Sequence, residues 1–221
     1  MNAEAERDPA LTRPRRRWCR IAWRAALAAL ILAGAGAWIG RDWVLREAAE
    51  AWIVSDAPQP ADAVAILGGG IQDRPFAAAD YYRRGLVKTI LISNTGATPI
   101  EKLGVWPSHV VYTRDALLKL GVPDSAIEPF GHDLLNTHEE AEALKTWAVA
   151  HGAHRLIVPT ELFTTRRLRW TLERVMPPGT VVMVPALAPS GYRADNWWRS
   201  ESGVASFLNE IIKYAFYLWT Y

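Results

Sequence analysis

The chain has 221 residues, half of them hydrophobic, enough for one substantial core and a single main folded domain. A net charge of +2 and no basic stripe in the domain leave nothing that favours nucleic acid. One cysteine, Cys19, excludes an intramolecular disulfide.

Residues 1–20 are polar and then basic, with Arg13, Arg15, Arg16, Arg17 and Arg20. The stretch Ala25–Gly40 that follows is uncharged and rich in Ala, Leu and Gly, and extending it back to Trp18 gives the length a membrane-crossing helix needs. Trp18 and Trp23 at one end, with Trp38 and Trp43 at the other, match the aromatic belts of a bilayer interface. Three readings compete. A membrane anchor explains both the length and the basic flank. A cleavable signal peptide shares the basic start, and Ala35-Gly36-Ala37 resembles a cleavage site. A buried soluble helix leaves five preceding arginines without a role. The anchor is preferred, with a basic cytoplasmic tail at 1–20 and the span at 21–40. The arginine asymmetry then puts the N-terminus in the cytoplasm and the domain outside, on a single-pass protein of the cytoplasmic (inner) membrane.

Residues 41–56 read as a helical linker, ended by Ala57-Pro58-Gln59-Pro60, so the linker and its break cover 41–60 and the domain 61–221. From there strands and helices alternate, the pattern of an α/β fold. Strands are expected at 62–67, 88–93, 126–130, 154–160 and 180–185. Helices are expected at 74–85, 109–120, 137–150, 163–175 and 204–219. The fold class is α/β: a Rossmann-like, mainly parallel sheet with helices on both faces, preceded by one N-terminal transmembrane helix.

The first strand runs into Gly68-Gly69-Gly70, and Arg74 opens the next helix. Strand, glycine turn and helix present bare backbone N–H groups, a setting that suits phosphate. The plainer reading is a tight turn with a solvated arginine, since neither G-x-G-x-x-G nor a P-loop is present. Thr137-His138-Glu139-Glu140 reads as a capping box linking Thr137 to Glu140.

The loops after the strands should converge on one edge of the sheet. They bring together Gly68, Gly69, Gly70, Arg74, Asn94, Thr95, Asn136, Thr137, Thr160 and Arg166 as ligand-binding candidates. Glu139 and Glu161 are the catalytic candidates if catalysis occurs. Helix capping alone is an equal explanation for Thr137. No metal site is expected, because the five histidines lack ligand spacing and suit surface or capping roles, and no cofactor is expected either.

LGGG with Arg74, then Asn136-Thr137-x-Glu139-Glu140-Ala141, then Pro159-Thr160-Glu161-Leu162-Phe163-Thr164-Thr165-Arg166 resembles the YdcF/SanA/ElyC-like (DUF218) family over residues 60–186. Trp197-Trp198-Arg199 with Glu210-x-x-Lys213-Tyr214 resembles the ending of its membrane-anchored branch. The resemblance implies a Rossmann-like domain behind one helix and a role in the bacterial cell envelope, with unsettled chemistry. Many relatives carry His and then Met-x-Arg where this chain has Phe163 and Thr164 before Arg166, so acid–base work by that histidine is ruled out here.

The last helix carries Phe207, Leu208, Ile211, Ile212, Ala215 and Leu218 at helical spacing, which core packing explains. Its aromatic end, Tyr214–Tyr221, additionally suits a bilayer surface. The expected function is a membrane-anchored envelope protein whose crevice binds a phosphorylated, lipid-linked ligand, with Arg74 and Arg166 as anion contacts. A phosphoryl- or glycosyl-processing hydrolase and a non-catalytic scaffold that docks other envelope membrane proteins are the alternatives.

Overall fold

The computed structural model describes residues 14–221, with side chains from Arg20 onward. The readings made on residues 1–13 and on the side chains of Trp18 and Cys19 lie outside the described residues. The described residues form two compact units, one ending at Leu45 and the other running from Arg46 to Tyr221.

In the first unit, helix α1 (Pro14–Trp52) exposes every described residue up to Ile39. From Arg20 it is long and apolar enough to cross a membrane. Its end, in the second unit, is fixed by packing. The Trp52 ring meets Phe207 and Tyr214 edge-on at 5.6 and 5.7 Å, and Trp52 Nε1 donates to the Phe163 carbonyl at 2.8 Å. The helix was expected to reach Asp56. It stops at Trp52, and residues 54–56 are held by neighbouring elements instead: Val54 N donates to Thr165 Oγ1 at 3.1 Å, and the Asp56 carboxylate accepts from Val184 N and pairs with Arg169.

Residues 46–221 form a doubly wound α/β domain. β1 (Ala63–Ile66), β2 (Thr89–Thr95), β3 (Ile127–Leu134), β4 (Arg155–Ile157) and β6 (Val181–Met183) make a five-stranded sheet in the order β3-β2-β1-β4-β6, and every pairing is parallel. Between β4 and β6 lies β5 (Thr160–Glu161), which pairs in parallel with β7 (Ala186–Leu187) as a separate ribbon. β1 is fully buried, as its run of apolar residues requires.

One sheet face carries Ala65, Leu91 and Leu156 against Leu144 of α5 (Thr137–His151) and Leu168 and Leu172 of α6 (Thr165–Val175). The other carries Val64, Ile66 and Ile90 against Ala78 and Ala79 of α2 (Arg74–Arg83) and Leu117 of α4 (His109–Lys119). A single-turn helix α3 (Pro99–Lys102) lies between β2 and α4. The chain lays down strands on one side of β1 and then crosses to β4 on the other. The switch point is therefore between β1 and β4, where α/β sheets open a crevice at their carboxyl ends.

Two expectations are corrected here. The last helix, α7 (Glu201–Thr220), buries Gly203, Phe207, Glu210 and Tyr217 and leaves Leu208, Ile211, Ile212 and Leu218 exposed. Only Phe207 of the expected core face packs inward, because the partners on this side are aromatic rings and the Arg167 guanidinium. Secondly, His109 is not a surface residue. It is buried at the start of α4, with Nδ1 2.8 Å from the Tyr112 hydroxyl and Nε2 unpartnered.

Burial, reinforced by the Arg74 charge, holds the His109 imidazole down to about 4. A histidine depressed in this way contributes stability that is complete above its ordinary 6.5 and is lost as pH falls toward its folded value. We expect the domain to lose roughly 3 kcal/mol from this group between those limits. Denaturant midpoints of the full chain in micelles should drop steeply on acidification through that window, and His109→Asn should flatten the slope. Equal slopes in the two proteins would contradict the assignment.

Candidate functional site

The site begins at the glycine turn after β1. Gly69 and Gly70 take φ of +86° and +57°, the left-handed region that favours glycine. Gly68 is required for a different reason. A Cβ there would come within 2.6 Å of Thr95 Cγ2 and 3.2 Å of Glu140 Oε1. The turn thus lets β2 and α5 approach the end of β1 closely.

Arg74 lies across the switch point and is buried, with 6 % of its surface exposed. Nε and Nη2 grip the Glu161 carboxylate at 3.1 and 2.6 Å, and Nη2 also reaches Thr160 Oγ1 at 3.1 Å. Nη1 donates to the carbonyls of Leu67 and Gly68 at 3.0 and 2.9 Å. These contacts use all five guanidinium donors. Arg74 therefore ties the loop after β1 to the loop after β4, and has no donor left over for a ligand. Burial pushes the Glu161 carboxyl up, but the Arg74 guanidinium outweighs it and holds it below the usual range. Beside them, burial and the Glu161 charge raise the Asp73 carboxyl. The N-terminus of α2 is thus already supplied with the chain's own carboxylates.

The start of α5 differs from expectation by one residue. Asn136, extended at φ −152° and ψ 167°, is the N-cap, and its Oδ1 accepts from the His138 and Glu139 amides at 3.0 Å each. Glu139 completes the cap, taking Leu135 N and Asn136 Nδ2 at 2.7 Å. With the cap satisfied, Thr137 and Glu140 are not a capping pair. Thr137 Oγ1 accepts from Arg167 Nη1 at 2.9 Å. The Glu140 carboxylate turns inward, where Oε1 accepts from Gly68 N at 2.6 Å. It is 6 % exposed, and burial raises its pKa against the opposing pull of the Ser93 hydroxyl, the Gly68 amide and the charges of Arg74 and Arg167.

α6 and α7 close the site. Arg167 forms a buried two-point ion pair with Glu210, Nε to Oε2 at 2.8 Å and Nη2 to Oε1 at 3.0 Å, while its guanidinium carbon lies 5.0 Å above the Tyr217 ring. One turn on, Lys213 Nζ is 3.6 Å from Glu210 Oε1, and its side chain is largely exposed.

Two cavities of about 570 and 280 Å³ occupy this edge, and both are lined by Gly68, Gly69, Thr137, Glu140, Arg167 and Lys213. The larger adds Thr95 and Asn136, and the smaller adds Arg74, Thr160 and Glu161. Of the remaining sequence candidates, Gly70 sits at the base against Glu161 and Arg74. Asn94, half-buried on β2, and Glu139, in its cap, line neither cavity. Arg166 points elsewhere, donating to the carbonyls of Trp52 and Ala51 at the end of α1. It fastens that helix to α6, and its neighbour Arg167 faces the crevice.

Glu140, Arg167, Glu210 and Lys213 were not singled out as site residues. A signal for the last two exists: they are the only charges in the apolar run Val204–Tyr221. Among the described residues, no group of three or more His, Cys, Asp or Glu side chains is placed to hold a metal. The chain matches no family model and no curated protein.

Chemically, the crevice contains a balanced set of charges: Arg74, Arg167 and Lys213 against Glu140, Glu161 and Glu210. Protonation of Glu140 tips the balance by one positive charge, and Lys213 is the cation whose ammonium reaches solvent most freely.

Proposed function

We propose that this is a membrane-anchored envelope protein, akin to the YdcF/SanA/ElyC-like family, whose crevice binds a phosphorylated ligand. The observation that supports it is the gathering of the Gly68–Gly69 turn, Thr137, Arg167 and Lys213 around one cavity at the switch point. In this reading Lys213 and the Thr137 hydroxyl meet the phosphate, while Arg74 and Arg166 hold the surrounding frame together. The arginine-rich residues 13–20 favour an outward-facing domain on the cytoplasmic membrane. Soluble nucleotide cofactors are not generally supplied there, so lipid-linked phosphates are the ligands of choice.

Titration of the full chain in micelles with geranyl phosphate, and with geraniol as its uncharged counterpart, tests the reading. Saturable binding of the phosphate alone is expected. It should weaken in Lys213→Ala and with rising salt, as a partly exposed ionic contact is screened. Equal binding of geraniol would remove the phosphate from the proposal.

A phosphoryl- or glycosyl-processing hydrolase is the second reading, and Glu140 favours it. A buried carboxyl with a raised pKa, fixed by the Gly68 amide on the cavity wall, is a suitable general acid. Turnover of any substrate that survived Glu140→Gln would exclude this role.

A further inference from the structure

The two sides of α7 are inverted relative to a helix packed on a soluble core. At about 100° per residue, Leu208, Ile211, Ile212, Ala215, Leu218 and Trp219 fall on one side of the helix, opposite the packed side that holds Glu210 and Tyr217. The apolar stripe is the exposed one: Leu208 is 52 %, Ile212 68 % and Trp219 91 % accessible. No charged side chain interrupts it between Leu208 and Trp219, since Glu210 is buried on the packed side and Lys213 falls next to Glu210 and Tyr217, lining the crevice. A continuous exposed apolar face of this length marks a contact surface.

This stripe runs into the crevice mouth. Phe216, 57 % exposed, and Lys213 both line the larger cavity. The same cavity is lined by Leu135, 79 % exposed, and by Thr98 at the start of α3, beyond which a loop exposes Leu103, Val105 and Trp106. A cavity that holds Glu140 and Arg167 therefore opens beside a rim of exposed hydrophobic side chains.

We propose that the outer face of α7 and this rim lie on the lipid bilayer, so that the crevice opens at the membrane surface and takes a ligand whose polar head enters while its apolar chain stays in lipid. The choice of a bilayer over another protein rests on the chain itself. A helix apolar on every side and long enough to cross a membrane directly precedes the domain, which keeps a bilayer within reach of every molecule. Trp219, Tyr221 and Trp106 are the residue types that favour the interface. The inference depends on the anchor in the proposed function and not on the phosphate.

Spin labels test it in the full chain, reconstituted into phosphatidylethanolamine–phosphatidylglycerol vesicles in a Cys19→Ser background. Labels are placed singly through Leu208→Cys, Ile212→Cys, Trp219→Cys and Leu135→Cys. Leu30→Cys in α1 reports on the anchor, and Glu173→Cys on α6 serves as the aqueous control. At the four rim positions, molecular oxygen should relax the label more strongly than a water-soluble nickel chelate, as at Leu30, with the reverse at Glu173. Rim labels that behave like Glu173 while Leu30 remains in lipid would overturn the docking and leave the anchor standing. If Leu30 were also nickel-accessible, the anchor itself would fall and take the docking with it. Immobilised labels shielded from both reagents would show that a second copy of the chain covers the stripe, and would overturn the bilayer assignment.

Discussion

Arg74→Met should destabilise the domain by about 3–5 kcal/mol, the usual result of removing one partner from a buried ion pair. The cause is what remains. Glu161, 19 % exposed in its side chain, would keep a negative charge with its guanidinium gone, and the carbonyls of Leu67 and Gly68 would each lose a donor. Lysine should recover only part of the loss, because a single ammonium cannot reach acceptors on both sides of the switch point. Converting Glu161 to methionine as well should restore stability relative to Arg74→Met alone, since the stranded charge is then removed. Denaturant unfolding of the full chain in micelles, with the three variants in parallel, measures all of this. An Arg74→Met protein with wild-type stability and no ligand binding would instead return Arg74 to the role of an anion contact.

Most of the sheet could be read from the chain because a doubly covered parallel sheet writes a strong local signal. Ala63–Leu67 and Ile90–Ile92 are unbroken apolar runs, and α2 and α5 have glycine stops, Gly85 and Gly152, at their ends. The site was legible in outline for the same reason: a parallel sheet places the ends of its strands on one edge, so Gly68, Thr95, Thr137 and Thr160 were bound to meet.

What could not be read depends on single-residue register. Asn136 and Thr137 are both capping residue types, and the choice of Asn136 releases Glu140 to face Gly68. Arg166 and Arg167 are adjacent on a helix and point about 100° apart, so one holds α1 and the other the crevice. The inverted α7 defeats the rule that the apolar face is the core face. Its packed side is set by a salt bridge to α6, a partner 43 residues away that no local pattern announces.

The loop after β4 decides how α7 is held. Phe163 stands in that loop and is completely buried. Its ring lies 4.8 Å from Phe207, 5.7 Å from Tyr192 and 5.8 Å from Trp197, while its carbonyl receives the Trp52 indole. One residue therefore joins the loop before α7 and α7 itself through its ring, and the end of α1 through its carbonyl. Phe163→Ala should cost about 3–5 kcal/mol, the sum of lost burial and a cavity that three surrounding rings cannot easily collapse to fill. Phe163→Leu should cost clearly less, because it keeps most of the volume. Neither change removes a group that lines the cavities, so at temperatures where the variants remain folded their affinity for geranyl phosphate should match the wild type. Unfolding midpoints and titrations on the same preparations separate the two effects. Full stability with lost affinity in Phe163→Ala would make Phe163 a ligand contact and would require the crevice to extend beneath α7.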